Sequence, residues 1–212
     1  SVLYNYKSTR EVSLNTMIEH SKSVRLGVKK SLMVVDMPHN TYRNSKEALK
    51  NAKQIISKTK CDAVKLEGGK KIYEIIKTLV KNNIPVMGHL GLLPQSAKNF
   101  KFKGKQNYER EKILKEAKLL ETAGVFSMVL ECIESSLAKN ITKTIKIPTI
   151  GIGASNNCDG QILVFDDVIG LNPINVRFVK KYTNIRKDIS KAVLNYARDV
   201  RSMKFPLKKH SY

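Results

Sequence analysis

Long apolar runs are absent from this sequence. Nowhere do about 18 apolar residues follow one another, so no membrane-spanning helix is expected. The amino end, Ser-Val-Leu-Tyr-Asn-Tyr-Lys-Ser-Thr-Arg, lacks the basic, apolar and small-residue order of a secretory signal. Cysteine is scarce: Cys61, Cys132 and Cys158 are odd in number and widely spaced, with no CxxC pair and no zinc-ligand spacing. A reduced, cytoplasmic chain is the expectation. Acidic residues are also few, 18 against 39 basic ones, for a formal charge of +21. Such a field can attract nucleic acid. Yet 31 of the 39 are Lys, spread along the polar faces of expected helices, whereas a nucleic-acid stripe is clustered. Biased composition explains the charge better, and neither nucleic acid nor membrane is expected as a partner. With no low-complexity tract and no linker, residues 1–212 read as a single domain.

What is present is a strict alternation of short apolar runs and amphipathic stretches. Strands are predicted at Ser31–Asp36, Asp62–Glu67, Ile84–His89, Phe126–Glu131, Ile147–Ile152 and Gln161–Phe165. Most are nearly continuous in Val, Ile, Leu and Met, as strands buried on both faces of a parallel sheet should be. Helical stripes lie between them: Leu14 to Val28, Ala48 to Ile56 behind a Ser45 cap, Ile72 to Val80, Ile113 to Leu120 and Ser135–Thr142. A last helix is expected over residues 184–203. This is the pattern of βαβ units. The longest irregular stretch, Leu93–Asn107, has the length of a functional loop.

The strand ends discriminate between an open sheet and a barrel. Successive strands end in Asp36, Glu67, His89 and Glu131. Charged groups at the carboxyl ends of several strands are the active-site arrangement of a (β/α)8 barrel, whereas an open sheet binds at one switch point. Six of the eight strands are countable here, so two βα units are expected before Ser1. A chain without them is expected to fold poorly and to have little activity.

Alternation along a strand puts Lys65 and Glu67 on one face, Glu131 with Val129, and Asp36 with Val34 and Leu32. Asp36 and Glu67 are hard oxygen donors suited to Mg²⁺. Lys65 suits a substrate carboxylate. Glu131, on a buried strand, suits a general base, because desolvation makes a carboxylate a better proton acceptor. His89 is a candidate substrate contact. Gly151–Ser155 follows a strand and could offer backbone N–H groups to an anion, although it is not a dinucleotide fingerprint. Cys132 has no partner base and reads as a structural thiol. Lys98, Lys101, Lys103 and Lys105, on the long loop, are candidates to attract an acidic ligand.

These residues fall in motifs that resemble one family. Val34-Val35-Asp36-Met37-Pro38, Val64-Lys65-Leu66-Glu67-Gly68-Gly69, Gly88-His89-Leu90-Gly91-Leu92-Leu93-Pro94-Gln95-Ser96, Leu130-Glu131-Cys132 and Ile147-Pro148-Thr149-Ile150-Gly151 match ketopantoate hydroxymethyltransferase in order and spacing. Asp159-Gly160-Gln161 and Phe178-Val179-Lys180-Lys181-Tyr182 carry the match to near the carboxyl end. The resemblance implies a (β/α)8 TIM barrel of the phosphoenolpyruvate mutase and isocitrate lyase type. It implies transfer of a hydroxymethyl group from 5,10-methylenetetrahydrofolate to 3-methyl-2-oxobutanoate, in pantothenate biosynthesis, with Mg²⁺ and a homo-decamer. Asp36 and Glu67 would be metal ligands, Asp36, Lys65 and His89 substrate contacts, and Glu131 the proton acceptor. The acidic ligand of the loop lysines would be the folate tail. A further Asp-Ser pair of the family would lie just before Ser1, which is assigned no role. The competing expectations are a Mg²⁺-dependent 2-oxo acid carbon–carbon lyase or mutase on the same barrel, and an inactive remnant.

Overall fold

A computed structural model describes residues 6, 8–97, 101–173 and 175–212. Its backbone divides into two compact units, one ending at Ile162 and one spanning Leu163–Tyr212.

The first unit is a six-stranded parallel sheet: β1 Val34–Asp36, β2 Ala63–Glu67, β3 Val86–Gly91, β4 Ser127–Glu131, β5 Thr149–Ile152 and β6 Gly160–Gln161. The strands lie in sequence order with no reversal. That order decides the fold type. Right-handed crossovers between successive neighbours put every helix on one side, and no switch point exists. The other face is therefore the inside of a (β/α) barrel, six strands of it among the described residues.

The helices are α1 Leu14–Gly27, α2 Ser45–Thr59, α3 Tyr73–Lys81, α4 Asn107–Ala123 and α5 Ser135–Thr144, each packed on the next. Their starts and stops follow local chemistry. Ser13 and Asn44 cap α1 and α2 by accepting the Thr16 and Glu47 N–H groups. Gly124 ends α4 in the left-handed region. Glu134 caps α5 by accepting from the Ser136 and Leu137 N–H groups. The cap expected at Ser45 is thus one residue too late: Ser45 is the first helical residue.

Strand alternation sorts the side chains. Val35, Val64, Leu66, Val86, Leu90, Met128 and Leu130 face the helices, and with Ala52, Ile55, Ile76, Leu79, Leu120 and Ile141 they form the core. Burying each of the larger ones is worth roughly 1.5–3 kcal/mol. The opposite face carries Asp36, Lys65, Glu67, His89 and Glu131.

Two strand expectations need correction. Leu32 is exposed and precedes β1, so it does not share the inner face with Asp36. The strand expected over Gln161–Phe165 is only Gly160–Gln161. The chain leaves the sheet after Ile162 donates to the Gly151 carbonyl, and Phe165 opens a short helix, α6 Phe165–Val168. Asp166 and Asp167 in its first turn favour that helix, and a short apolar run does not distinguish strand from helix. In the second unit, α7 Ile185–Arg201 is capped by Asn184 and occupies the span expected over 184–203. Among the described residues no helix is long and apolar enough to cross a membrane.

Candidate active site

The five side chains singled out from the strand ends meet. The Lys65 ammonium lies 3.0 Å from Asp36 Oδ2 and 3.4 Å from His89 Nδ1. His89 Nδ1 is 3.9 Å from Glu67 Oε1, and its Nε2 is 3.2 Å from Glu131 Oε2. Register explains the cluster: Asp36 pairs with Lys65, Glu67 with His89, and Gly91 with Glu131 across three successive strand pairs. Every member points to the inner face.

Glycine makes the sharp exits possible. Gly68, at φ +139°, turns the chain immediately after Glu67 and donates its N–H to the His89 carbonyl. Gly91, at φ +100°, ends β3 where any Cβ would collide with the Glu131 carbonyl oxygen.

The cluster is graded in exposure. The His89 and Glu67 side chains are 3% and 8% exposed, Glu131 is 16% exposed, and Asp36 opens to solvent at 45%. Burial raises the Glu67 carboxyl above its ordinary value, and the nearby Asp36 charge adds to this. His89, the Gln95 N–H and Lys65 oppose the rise. His89 Nε2 is close to Glu131 but off the direction of a hydrogen bond. Among the described residues it is the one buried side-chain nitrogen or oxygen without a hydrogen-bond partner. A contact at 3.2 Å that lies outside hydrogen-bond geometry does not satisfy the donor or acceptor.

Asp36 and Glu67 fit part of a Mg²⁺ shell. Both are hard oxygen donors on adjacent strands. Among the described residues no three His, Cys, Asp or Glu side chains are grouped tightly enough to hold an ion alone. Mg²⁺ is usually held by one or two carboxylates, with water and substrate oxygens completing the octahedron.

Sequence reasoning missed Tyr42 and gave Gln95 no role. The Gln95 N–H donates to Glu67 Oε2 at 3.0 Å, and the Tyr42 hydroxyl donates to Gln95 Oε1 at 2.8 Å. Burial and the Glu67 charge push the Tyr42 phenol up to about 12. Both residues line a cleft of about 200 Å³ with His39, Asn40, Arg43, Glu67 and Ser96. Gln95 stood inside the Pro94-Gln95-Ser96 motif; Tyr42 carried no signal beyond being an aromatic after a strand.

Cys132 is buried and unpaired, and burial with the Glu131 charge pushes its thiol up to about 11, which leaves little thiolate for nucleophilic work. The Ser155 hydroxyl is engaged by Ser135 and Asn157. Gly151 closely packs the Gln161 amide and Cys158. Lys98 lies outside the described residues. Lys103 pairs with Glu109 at 3.7 Å, and its backbone is bonded to Cys132 and Glu134.

The sequence model of the ketopantoate hydroxymethyltransferase family matches residues 1–208. The chain belongs to the ketopantoate hydroxymethyltransferase family. It is 74% identical over 212 residues to the 3-methyl-2-oxobutanoate hydroxymethyltransferase of Pelagibacter ubique (strain HTCC1062), covering all of this chain and 82% of that one. It is 47% identical over 216 residues to the enzyme of the same name from Rhizobium etli, covering 79% of it. Members of the family are enzymes, and the barrel reading is supported independently. A 2,3-dimethylmalate lyase of the phosphoenolpyruvate mutase/isocitrate lyase superfamily superposes with a TM-score of 0.53 over 96% of this chain and 71% of that chain, at 12% identity. An oxaloacetate acetylhydrolase gives 0.51 over 70% of this chain and 54% of that chain, at 10% identity. At such identities the likeness concerns the fold alone.

Proposed function

We propose that the chain transfers a hydroxymethyl group from 5,10-methylenetetrahydrofolate to 3-methyl-2-oxobutanoate, yielding 2-dehydropantoate in pantothenate biosynthesis. The observation that supports this best is the cluster itself. Five side chains from the family's motifs, drawn from four strands, lie within contact of their neighbours at one end of the sheet.

In this reading Asp36 and Glu67 hold Mg²⁺, with Asp36 also facing the substrate. The ion, when bound, supplies a Lewis acid for the keto and carboxylate oxygens of a 2-oxo acid. Lys65 neutralises substrate oxygens and holds Asp36 in place. His89 presents its unpaired Nε2 to the substrate. Glu131 takes the C3 proton, and the resulting carbanion equivalent forms a C–C bond to the one-carbon unit. Water supplies the hydroxyl, and tetrahydrofolate leaves. Lys101, Lys103 and Lys105 offer positive charge to the acidic folate tail, with Lys103 sharing its charge with Glu109. Cytoplasmic residence and a homo-oligomer, ten copies by the family's habit, complete the reading.

The test is to incubate the full-length protein with Mg²⁺ and 3-methyl-2-oxobutanoate in D₂O and follow the C3 proton by NMR, then add methylenetetrahydrofolate and assay 2-dehydropantoate. Exchange that needs Mg²⁺, followed by product, is expected. Binding of the oxo acid with no C3 exchange would refute the proton-abstraction step.

A further inference from the structure

We propose that Gln95 is a positioning residue for the Glu67 carboxylate, tying the end of β2 to the chain that leaves β1. The role rests on the reading of Asp36 and Glu67 as Mg²⁺ ligands. Gln95 is buried, and every polar group it has is committed. Its N–H donates to Glu67 Oε2 at 3.0 Å. Its side-chain Nε2 donates to the carbonyl of Met37, the residue after Asp36, at 2.9 Å. Its Oε1 accepts the Tyr42 hydroxyl at 2.8 Å, and its carbonyl accepts Arg10 Nε at 2.7 Å.

The chemistry of these partners selects glutamine. The Met37 carbonyl can only accept, so a donor must face it. The Tyr42 hydroxyl, which also approaches the Glu67 carbonyl at 3.5 Å, needs an acceptor. A primary amide offers one of each at this reach. Glutamate would set an oxygen against the Met37 carbonyl, and leucine would remove the donor to Met37 and leave Tyr42 only its long contact with the Glu67 carbonyl. Either change frees the loop backbone at residue 95, and with it the N–H that holds Glu67 Oε2. The side chains of Asp36 and Glu67 come from different strands, and Gln95 is bonded to the chain at both. It therefore governs how the two carboxylates face one space. Partners that orient a metal ligand in this way typically carry a tenfold to hundredfold share of metal affinity, in the sense of order of magnitude.

The experiment titrates the full-length protein with Mn²⁺ alone, read by water-proton relaxation, with Mg²⁺ as competitor. Gln95→Glu, Gln95→Leu and Tyr42→Phe are compared with the unmodified chain, and circular dichroism and Tm are recorded for each. Both Gln95 variants are expected to bind Mn²⁺ roughly 10–100-fold more weakly with unchanged helix content. Tyr42→Phe, which removes one oxygen, is expected to weaken binding less and serves as the readout should the Gln95 variants not fold. A lower Tm with Mn²⁺ affinity unchanged, in the folded variants, reduces Gln95 to a structural residue and overturns the proposal. No Mn²⁺ binding by the unmodified chain overturns the Mg²⁺ reading and this role with it, so the two failures are distinguishable.

Discussion

His89 Nε2 stands 3.2 Å from Glu131 Oε2 although the two residues are not paired across the sheet: His89 is opposite Val129, and Glu131 is opposite Gly91. They are diagonal neighbours on the inner face, which a long carboxylate can span. The other ring nitrogen faces Lys65 and Glu67. One imidazole thus touches groups from both flanking strands. Its Nε2 is buried without a hydrogen bond, a state that costs on the order of 1–3 kcal/mol. A substrate oxygen that filled that direction would recover it.

Glu131 is expected to be the base. Glu131→Gln keeps the shape and the His89 neighbour but removes the proton acceptor. In the full-length protein, the Mg²⁺-dependent exchange of the C3 proton of 3-methyl-2-oxobutanoate with solvent should fall by roughly 10²-fold or more. NMR in D₂O measures it, and exchange at the unmodified rate rules Glu131 out.

Asp36 is ion-paired to Lys65 and is the most open of the cluster. Asp36→Asn should weaken Mg²⁺-dependent binding of 3-methyl-2-oxobutanoate by about tenfold or more, on the scale of a lost metal-shell partner. Calorimetric titration with and without Mg²⁺ is the measurement. A folded variant with undiminished metal dependence would remove Asp36 from the site.

Gly91→Ala should destabilise the fold and displace Glu131. The position combines φ +100° with direct approach to the Glu131 carbonyl oxygen. Forcing a side chain into such a conformation costs about 1–3 kcal/mol. Urea unfolding followed by circular dichroism reads the loss; a midpoint equal to that of the unmodified chain would contradict the close approach.

Glu134 should make stability depend on acid. Hydrogen bonds from the Ser136 hydroxyl and the Arg110 guanidinium, with backbone N–H groups at the start of α5, hold its carboxyl at about 2, against an ordinary value of 4.5. The ionised form is favoured in the folded state. Its stabilisation is therefore complete above 4.5 and is lost as pH falls through about 2. The side chain is a third exposed, so solvent screening keeps the effect modest. Urea unfolding of Glu134→Gln and the unmodified chain should differ at neutral pH and converge in acid. A gap that persists unchanged to the lowest pH points to a packing effect instead.

Much of this was determined by the sequence alone, because it depends on short-range periodicity. The two-residue repeat of a strand assigns Lys65 and Glu67 to one face and Val64 and Leu66 to the other, whatever the neighbouring strands do. The apolar stripes of α2, α3 and α5 likewise follow from helical spacing, and the motif around His89 carried the family. Tertiary structure decided what depends on register between distant segments. Gln95 reaches Tyr42 and Met37 across 53 and 58 residues of chain, distances over which no local pattern operates. The His89–Glu131 contact is likewise a diagonal set by how β3 and β4 are offset. The apolar run at Ile162–Phe165 leaves the sheet for the same reason. Its composition suits a strand, but a strand also needs a neighbour to accept its backbone hydrogen bonds, and after Ile162 bonds Gly151 that pairing ends.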